Sequence, residues 1–272
     1  MEQRPLILVT NDDGITSAGL WAAAEALLPL GELLVAAPNR QWSGAGRSMP
    51  NMVSGRIEEV RREVGGTVLT GYAIDASPAL VVVHALLELA PRRPSLVVSG
   101  INFGENISVS VTISGTVGAA LEGAASGIPS MAVSLAMPIA NHLDGGDDTD
   151  YRGAMAYVRR FAAFLLRHPR PYDVDVLNIN VPMEATPETP WRLTRLARQR
   201  YFIPTPPRRD EGEGRPGYRA IESPETKVAP DTDVWALIVE GLVSVTPLSL
   251  DMTSRADFGQ VAEWLHRLEV EG

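Results

Sequence analysis

Leu6-Ile7-Leu8-Val9-Thr10, closed by Asn11-Asp12-Asp13-Gly14, is the stretch from which the fold can be read. A short apolar run bounded by Pro5 and by turn-forming residues has the pattern of a strand buried on both faces. Leu20, Ala23, Ala24, Leu27 and Leu28 then recur at helical spacing after Ser17, with Pro29 and Gly31 as stop signals. A second apolar run, Leu33 to Ala37, follows. Strand, helix and strand within about 30 residues form a βαβ unit, whose crossover requires a parallel sheet with helices on its faces.

The alternation continues outward from there. Ser77-Pro78 predicts an N-cap followed by proline at the first helical position, opening an apolar helix to about Leu89 in which His84 reads as core. Leu96-Val97-Val98 is the next strand, Thr116 to Gly127 a helix of small residues, and Ser130 to Leu135 another strand. Tyr151 to Arg167 reads as helix and Val174 to Val181 as strand, ended by Pro182. The expectation is an α/β core over residues 1–182: a Rossmann-like, doubly wound, mostly parallel sheet with helices on both faces.

After Pro182 the character changes. Nine of the 21 prolines fall between Pro182 and Pro230, and Pro204 to Gly217 holds no aliphatic residue, so this stretch predicts an exposed arm, hairpin or lid. Val234 to Val239 and Leu242 to Val245 read as strands, and Phe258, Val261, Leu265 and Leu268 line one side of a final helix. Residues 183–272 are thus expected to complete the core or an oligomer. Trp191, Leu193, Leu196, Tyr201, Phe202 and Ile203 flank the charged tip and need a surface to bury them.

Composition removes whole classes of function. The 272 residues carry 33 acidic and 24 basic side chains, a net charge of −9 that opposes binding to DNA or to an anionic membrane. With no cysteine, disulfide scaffolds, thiolate zinc sites, iron–sulfur clusters and thiol nucleophiles are excluded. Lys227 is the only lysine, which leaves almost no place for Schiff-base chemistry or a P-loop. The apolar stretch after Pro5 is too short for a signal peptide or a membrane span, so a soluble, cytoplasmic protein is expected.

Asn11-Asp12-Asp13-Gly14 sits at the carboxyl end of the first strand, where open α/β sheets place their ligands. Two adjacent carboxylates in a loop can turn toward one point, where they repel unless a cation lies between them; the other reading is an acidic turn that caps the next helix. Two more loops emerge on the same edge: Pro38 to Gly46, with the hydroxyl of Ser43, and Ser99 to Asn102, with the amide of Asn102. Carboxylate, hydroxyl and amide oxygens without thiol or imidazole suit a hard cation such as Mg²⁺ or Mn²⁺. Asn106 and Ser114-Gly115-Thr116 add a helix N-terminus able to hold phosphate, or an ordinary N-cap. Metal and helix terminus facing one crevice describe a phosphate-ester site. His84, His142, His168 and His266 show no paired spacing, and the eight arginines from Arg192 to Arg219 read as a solvated arm or as a greeting surface for an anionic substrate.

These residues resemble the SurE stationary-phase survival proteins, a family of metal-dependent phosphatases acting on nucleoside monophosphates. The similarity is carried by Leu6 to Gly14, Ala37 to Ala45, Val97 to Asn102, Gly104 to Asn106, Ser114 to Gly123 and Glu240 to Leu248, so it spans about residues 6 to 253. The resemblance implies one divalent cation per subunit, Mg²⁺ or Mn²⁺, held by Asp12, Asp13, Ser43 and Asn102. It implies phosphate on Asn106, Ser114, Gly115 and Thr116, with Asp12 and Asp13 catalytic. Water is the preferred nucleophile, with a covalent aspartyl-phosphate at Asp12 or Asp13 as the mechanistic alternative. A homo-oligomer, dimer or tetramer, exchanging carboxyl-terminal elements is implied as well. The chain departs from the family where Ala76 to Val81 replaces a Gly-Thr-Pro-Ala-Asp-Cys stretch, and where Ile107 to Ile113 replaces a segment with Gly-Asp-Asp and a Tyr. That altered wall keeps a catalytically weak nucleotide sensor as the alternative function.

Overall fold

A computed structural model describes residues 4–142, 149–211, 214 and 216–271; Arg215 and the Leu268 side chain of the preceding reading lie outside the described residues. Five parallel strands form the centre: β1 (Leu6–Thr10), β2 (Glu32–Pro38), β5 (Leu96–Phe103), β6 (Ser130–Leu135) and β7 (Val176–Val181). They belong to a nine-stranded sheet of order β3-β4-β2-β1-β5-β6-β7-β11-β8. Its remaining strands are β3 (Ile57–Val64), β4 (Thr67–Ile74), β8 (Trp191–Leu193) and β11 (Val243–Leu248). The order reverses at β1. The chain moves from β1 to β2 on one side and returns to β5 on the other, so the loops after β1 and β5 diverge and open a crevice between them.

The two faces of the sheet are apolar for the same reason that its strands read as continuous hydrophobic runs: each is covered by helices. On one face Ile7, Val9, Val35, Val98 and Val133 pack against α1 (Ala18–Leu27) and α4 (Arg152–Leu165). On the other, Leu6, Leu8, Ala36 and Val97 meet α2 (Pro78–His84) and α3 (Gly115–Ala125). Ser77 caps α2 by accepting from the Leu80 amide at 3.4 Å, and Ser114 caps α3 by accepting from Val117 at 3.1 Å.

The structure departs from the sequence reading in several places. β3 and β4 form an antiparallel hairpin turned by Gly65-Gly66, both at positive φ, a two-residue signal for such a turn. β3 carries Glu58, Glu59, Arg61, Arg62 and Glu63 along the sheet's free edge, charges that guard that edge against pairing with other chains. Val234 to Val239, expected as a strand, makes one wide helical turn over Trp235–Val239. His84 is part-exposed and contacts Glu88 one turn on at 2.5 Å rather than lying in the core. The arm contains a small hairpin, β9 (Phe202–Thr205) with β10 (Gly217–Ala220), that rests on its own chain: Tyr218 Oη lies 3.0 Å from His142 Nδ1 and Phe202 packs edge-on against the same imidazole. Ala197 and Tyr201 are buried by this return, whereas Trp191 and Leu193 on the edge strand stay exposed, as does most of α5 (Phe258–Glu271). A cavity of about 550 Å³ opens near Pro129, Arg170 and Asp175 at the amino edge of the sheet, away from the crevice loops.

α1 approaches β5 so closely that a Cβ on Gly19 would lie 2.1 Å from the Ile101 carbonyl oxygen. Gly19→Ala gains about 1 kcal/mol of helix propensity but must push a backbone group aside at a cost of roughly 1–3 kcal/mol or more. Net destabilisation in urea unfolding is expected; a variant as stable as the native chain contradicts the packing described.

Candidate functional site

The loop after β1 is shaped by Asn11. Its side-chain amide donates to the Gly14 carbonyl and its side-chain oxygen accepts from the Gly14 amide, both at 3.1 Å, closing a four-residue turn. Gly14 has φ +97°, a conformation that a side chain disfavours. The clamp leaves Asp12 and Asp13 free of the turn's own hydrogen bonding. The Asp12 carboxylate Oδ1 accepts from the Thr116 hydroxyl at 2.5 Å, and the amides of Gly115 and Thr116 act on the same carboxylate. Contact is close enough that a Cβ on Gly115 would sit 2.7 Å from Asp12 Cβ. Asp13 accepts from the Gln41 side-chain amide and from the Phe103 backbone amide, each at 3.1 Å.

Burial pushes the Asp12 carboxyl up to about 6, against the pull of the Thr116 hydroxyl and the nearby amides. Asp13 is raised well above the ordinary carboxylate range, first by burial and then by the charge of Asp12. Among the described residues no Arg, Lys or His forms an ion pair with either carboxylate. Two adjacent acids, Asp12 buried and Asp13 half-buried, without a cationic partner are the donor set that a divalent cation satisfies.

The neutral oxygens are placed unequally. β5 carries a register irregularity between Ser99 and Asn102, after which the Asn102 side-chain amide donates to Phe103 O at 3.1 Å and Gly104 O at 2.7 Å. Both amide hydrogens being engaged, the side-chain oxygen of Asn102 is its free end, as a cation ligand requires. Ser43 lies in a loop tied at two points, Trp42 N to Asp12 O at 2.8 Å and Gly46 N to Ile113 O at 2.9 Å. The Ser43 side chain is exposed and has no hydrogen-bond partner among the described residues, so the loop is brought to the acid pair while the hydroxyl stays on its open side. No three acidic, histidine or cysteine side chains converge among the described residues, and a cation here would rest on two carboxylates completed by neutral oxygens.

Asn106 is gripped from several directions: its amide group donates to Ser134 Oγ at 2.9 Å and to Thr116 Oγ1 at 3.5 Å, and its backbone is held by Asn178 and Asn180. Ser114, Gly115 and Thr116 form the first turn of α3, but the Thr116 hydroxyl, expected at phosphate, is engaged with Asp12. Gln41, Glu105 and His142 were missed by the sequence reading. Gln41 bridges Asp13 to the His142 carbonyl, at 3.1 and 3.4 Å. Glu105 is buried 3.9 Å from His142 Nε2; burial raises its carboxyl while the imidazole opposes the rise. No spacing signal announces these residues, because the contacts just described join positions between 28 and 101 residues apart.

The fold and site define a class: doubly wound α/β proteins that gather a carboxylate pair and a helix N-terminus where the strand order reverses. A family model described as survival protein SurE matches residues 7–202. The chain belongs to the SurE family. A protein from Thermococcus kodakarensis named 5′-nucleotidase SurE is 42% identical over 95% of this chain and 98% of its own. One of the same name from Archaeoglobus fulgidus is 43% identical over 97% and 99%. The crystal structure of SurE protein from Aquifex aeolicus superposes with a TM-score of 0.71 at 31% identity, covering 97% of this chain and all of that one.

Removing the half-buried one of two repelling charges should relieve strain that no counter-charge relieves. In the presence of a chelator, Asp13→Asn is therefore expected to melt higher than the native chain by a few degrees, about 2–4 °C for each kcal/mol gained. A melting temperature equal to or below the native one would show the pair to be a satisfied structural cap.

Proposed function

We propose that this protein is a metal-dependent 5′-nucleotidase, hydrolysing nucleoside monophosphates to nucleoside and phosphate. The observation that carries the reading is the uncompensated acid pair, Asp12 and Asp13, set directly against the first turn of α3. Relatives named for this activity at about 40% identity support it. Asp12, Asp13, Asn102 and, after a side-chain turn inward, Ser43 would hold one Mg²⁺ or Mn²⁺ per subunit. When bound, such a cation supplies Lewis-acid stabilisation of the phosphoryl charge and acidifies water.

The chain's own residues do the rest. Thr116 fixes one oxygen of Asp12, and Gln41 with the Phe103 amide fixes both oxygens of Asp13, so the carboxylates cannot rotate away from the shared point. The α3 terminus, Ser114 to Thr116, presents a partial positive charge to the non-bridging phosphate oxygens, and the Asn106 side-chain amide, which donates to Ser134 and Thr116, would join it by exchanging one of those partners for phosphate. Hydrolysis forms a P–O bond to water and breaks the P–O bond to the sugar oxygen; the proton lost by water ends on the nucleoside hydroxyl.

The same reading assigns residues 1–182 to the catalytic core and residues 183–272 to its completion and to self-association as a dimer or tetramer. Trp191 and Leu193 on the edge strand are 49% and 65% exposed, and Phe258 and Trp264 on α5 are 68% and 65% exposed, an apolar area that a second copy would cover. A cytoplasmic location agrees with the absence of cysteine, and among the described residues no helix is long and apolar enough to cross a membrane.

Turnover of a generic phosphate ester should vanish with a chelator and return with Mg²⁺ or Mn²⁺. Asp12→Asn and Asp13→Asn should each lower it by about 100-fold or more with the fold intact. Activity indifferent to chelation ends the proposal. Sedimentation at micromolar concentration should show a species larger than the 29.3 kDa chain, and a folded, active monomer refutes the self-association.

A further inference from the structure

Asp233 is fully buried and takes no part in the chemistry above. Its carboxylate gathers three backbone amides from separate stretches of chain: Ser108 N donates to Oδ2 at 2.7 Å, and Ala197 N and Val234 N donate to Oδ1 at 2.9 and 2.8 Å. Ser108 is itself buried and has φ +55°, in the left-handed region that residues other than glycine enter only when neighbours hold them there. Its hydroxyl accepts from Tyr201 N at 3.3 Å, a second hold from the same carboxyl-terminal segment.

Two residues upstream stands Asn106. Its backbone amide donates to Asn180 Oδ1 at 2.7 Å, and its carbonyl accepts from Asn178 and Asn180 at 2.8 and 3.1 Å. The loop that carries Asn106 is therefore pinned by β7 on one side and by Asp233 on the other. Immediately after Ser108 a tight helical stretch, Ser108–Ile113, delivers the chain to Ser114 and the first turn of α3.

We propose that Asp233 is a positioning residue for the phosphate end of the site: by holding Ser108 in its left-handed conformation it sets where Asn106 and Ser114 stand relative to the crevice. The same carboxylate binds Ala197 at the base of the arm, so the arm and the phosphate loop share one anchor. The inference rests on the reading of Asn106 and α3 as the phosphate side of a phosphatase site.

The test uses the full chain with Mn²⁺ and p-nitrophenyl phosphate, inorganic phosphate as competitive inhibitor, and Asn106→Ala as reference. Asp233→Asn keeps the shape and removes one acceptor. It should leave Mn²⁺ affinity, read by calorimetry, within about twofold while weakening phosphate Ki and KM about tenfold. Adding Ser108→Gly to Asp233→Asn should recover several-fold of that loss, since glycine adopts the required φ unaided. A residue that only stabilises the fold would lower the melting temperature without moving Ki, and glycine would rescue nothing. If Asp233→Asn does not fold, Asp233→Glu, which keeps the charge but displaces the carboxylate from the Ser108 amide, should still loosen Ki several-fold. Native Ki in a folded Asp233→Asn, or in a folded Asp233→Glu, overturns the inference while a weakened Asn106→Ala preserves the site reading. Native Ki in Asn106→Ala overturns both.

Discussion

Asp12 and Asp13 are neighbours in the chain, both enclosed, and their mutual repulsion is opposed only by dipoles: a hydroxyl, a side-chain amide and backbone N–H groups. In the low-dielectric edge of a packed sheet that repulsion is large, and hydrogen bonds to each oxygen orient the charges without cancelling them. The surrounding architecture follows from keeping them there. Asn11 closes the turn that exposes them, Gly115 carries no side chain where Asp12 must fit, and the β2 loop is tied down at Trp42 and Gly46 on either side of Ser43. A crevice held open at the reversal of strand order then gives a ligand an approach that does not cross the core.

The second dependence is on the carboxyl-terminal part of the chain. Asn178 and Asn180 of β7 are fully buried polar residues, and both direct their amide groups at the carbonyl of Asn106. Thr194 on the strand β8 side meets Ser244 and Thr246 of β11 through hydroxyl contacts of 2.8 Å, extending this polar layer across the sheet. Such a layer is stable only when its members are matched, and it fixes register where apolar packing alone would allow sliding. Contacts among residues 72 to 125 positions apart thus shape a loop whose own sequence, Ile107 to Ile113, says little about its conformation.

This explains what the sequence made legible and what it did not. The buried strands β1, β2, β5, β6 and β7 announce themselves because a parallel sheet covered on both faces needs unbroken apolar runs, and Ser77 and Ser114 announce helices because their hydroxyls accept from the first turn. The acid pair was readable from its position just beyond β1, whereas Asn102, read as following a strand that ends at Val98, lies inside β5 beyond the irregularity at Ser99. The β3–β4 hairpin was overlooked because its charged edge strand lacks an apolar run, although Gly65-Gly66 marked its turn. Val234 to Val239 has strand-like composition but follows Asp233, whose carboxylate accepts from Val234 N and starts a helical turn instead. Glu105, His142 and Asp233 could not be ranked at all, because nothing local distinguishes a charged residue that will be buried from one that will be solvated.

β11 runs antiparallel to β7, unlike the strands that build the site. It therefore begins at the carboxyl edge and ends at the amino edge, where Asp175 N donates to Leu248 O at 2.9 Å and Leu250 N to Asp175 Oδ2 at 2.6 Å. Everything that follows, α5 included, departs from the end of the sheet opposite the acid pair. Whatever surface that departing segment recruits, it starts a full strand length, about 17–20 Å, from the crevice mouth. The departing segment and the crevice thus belong to opposite poles of one sheet.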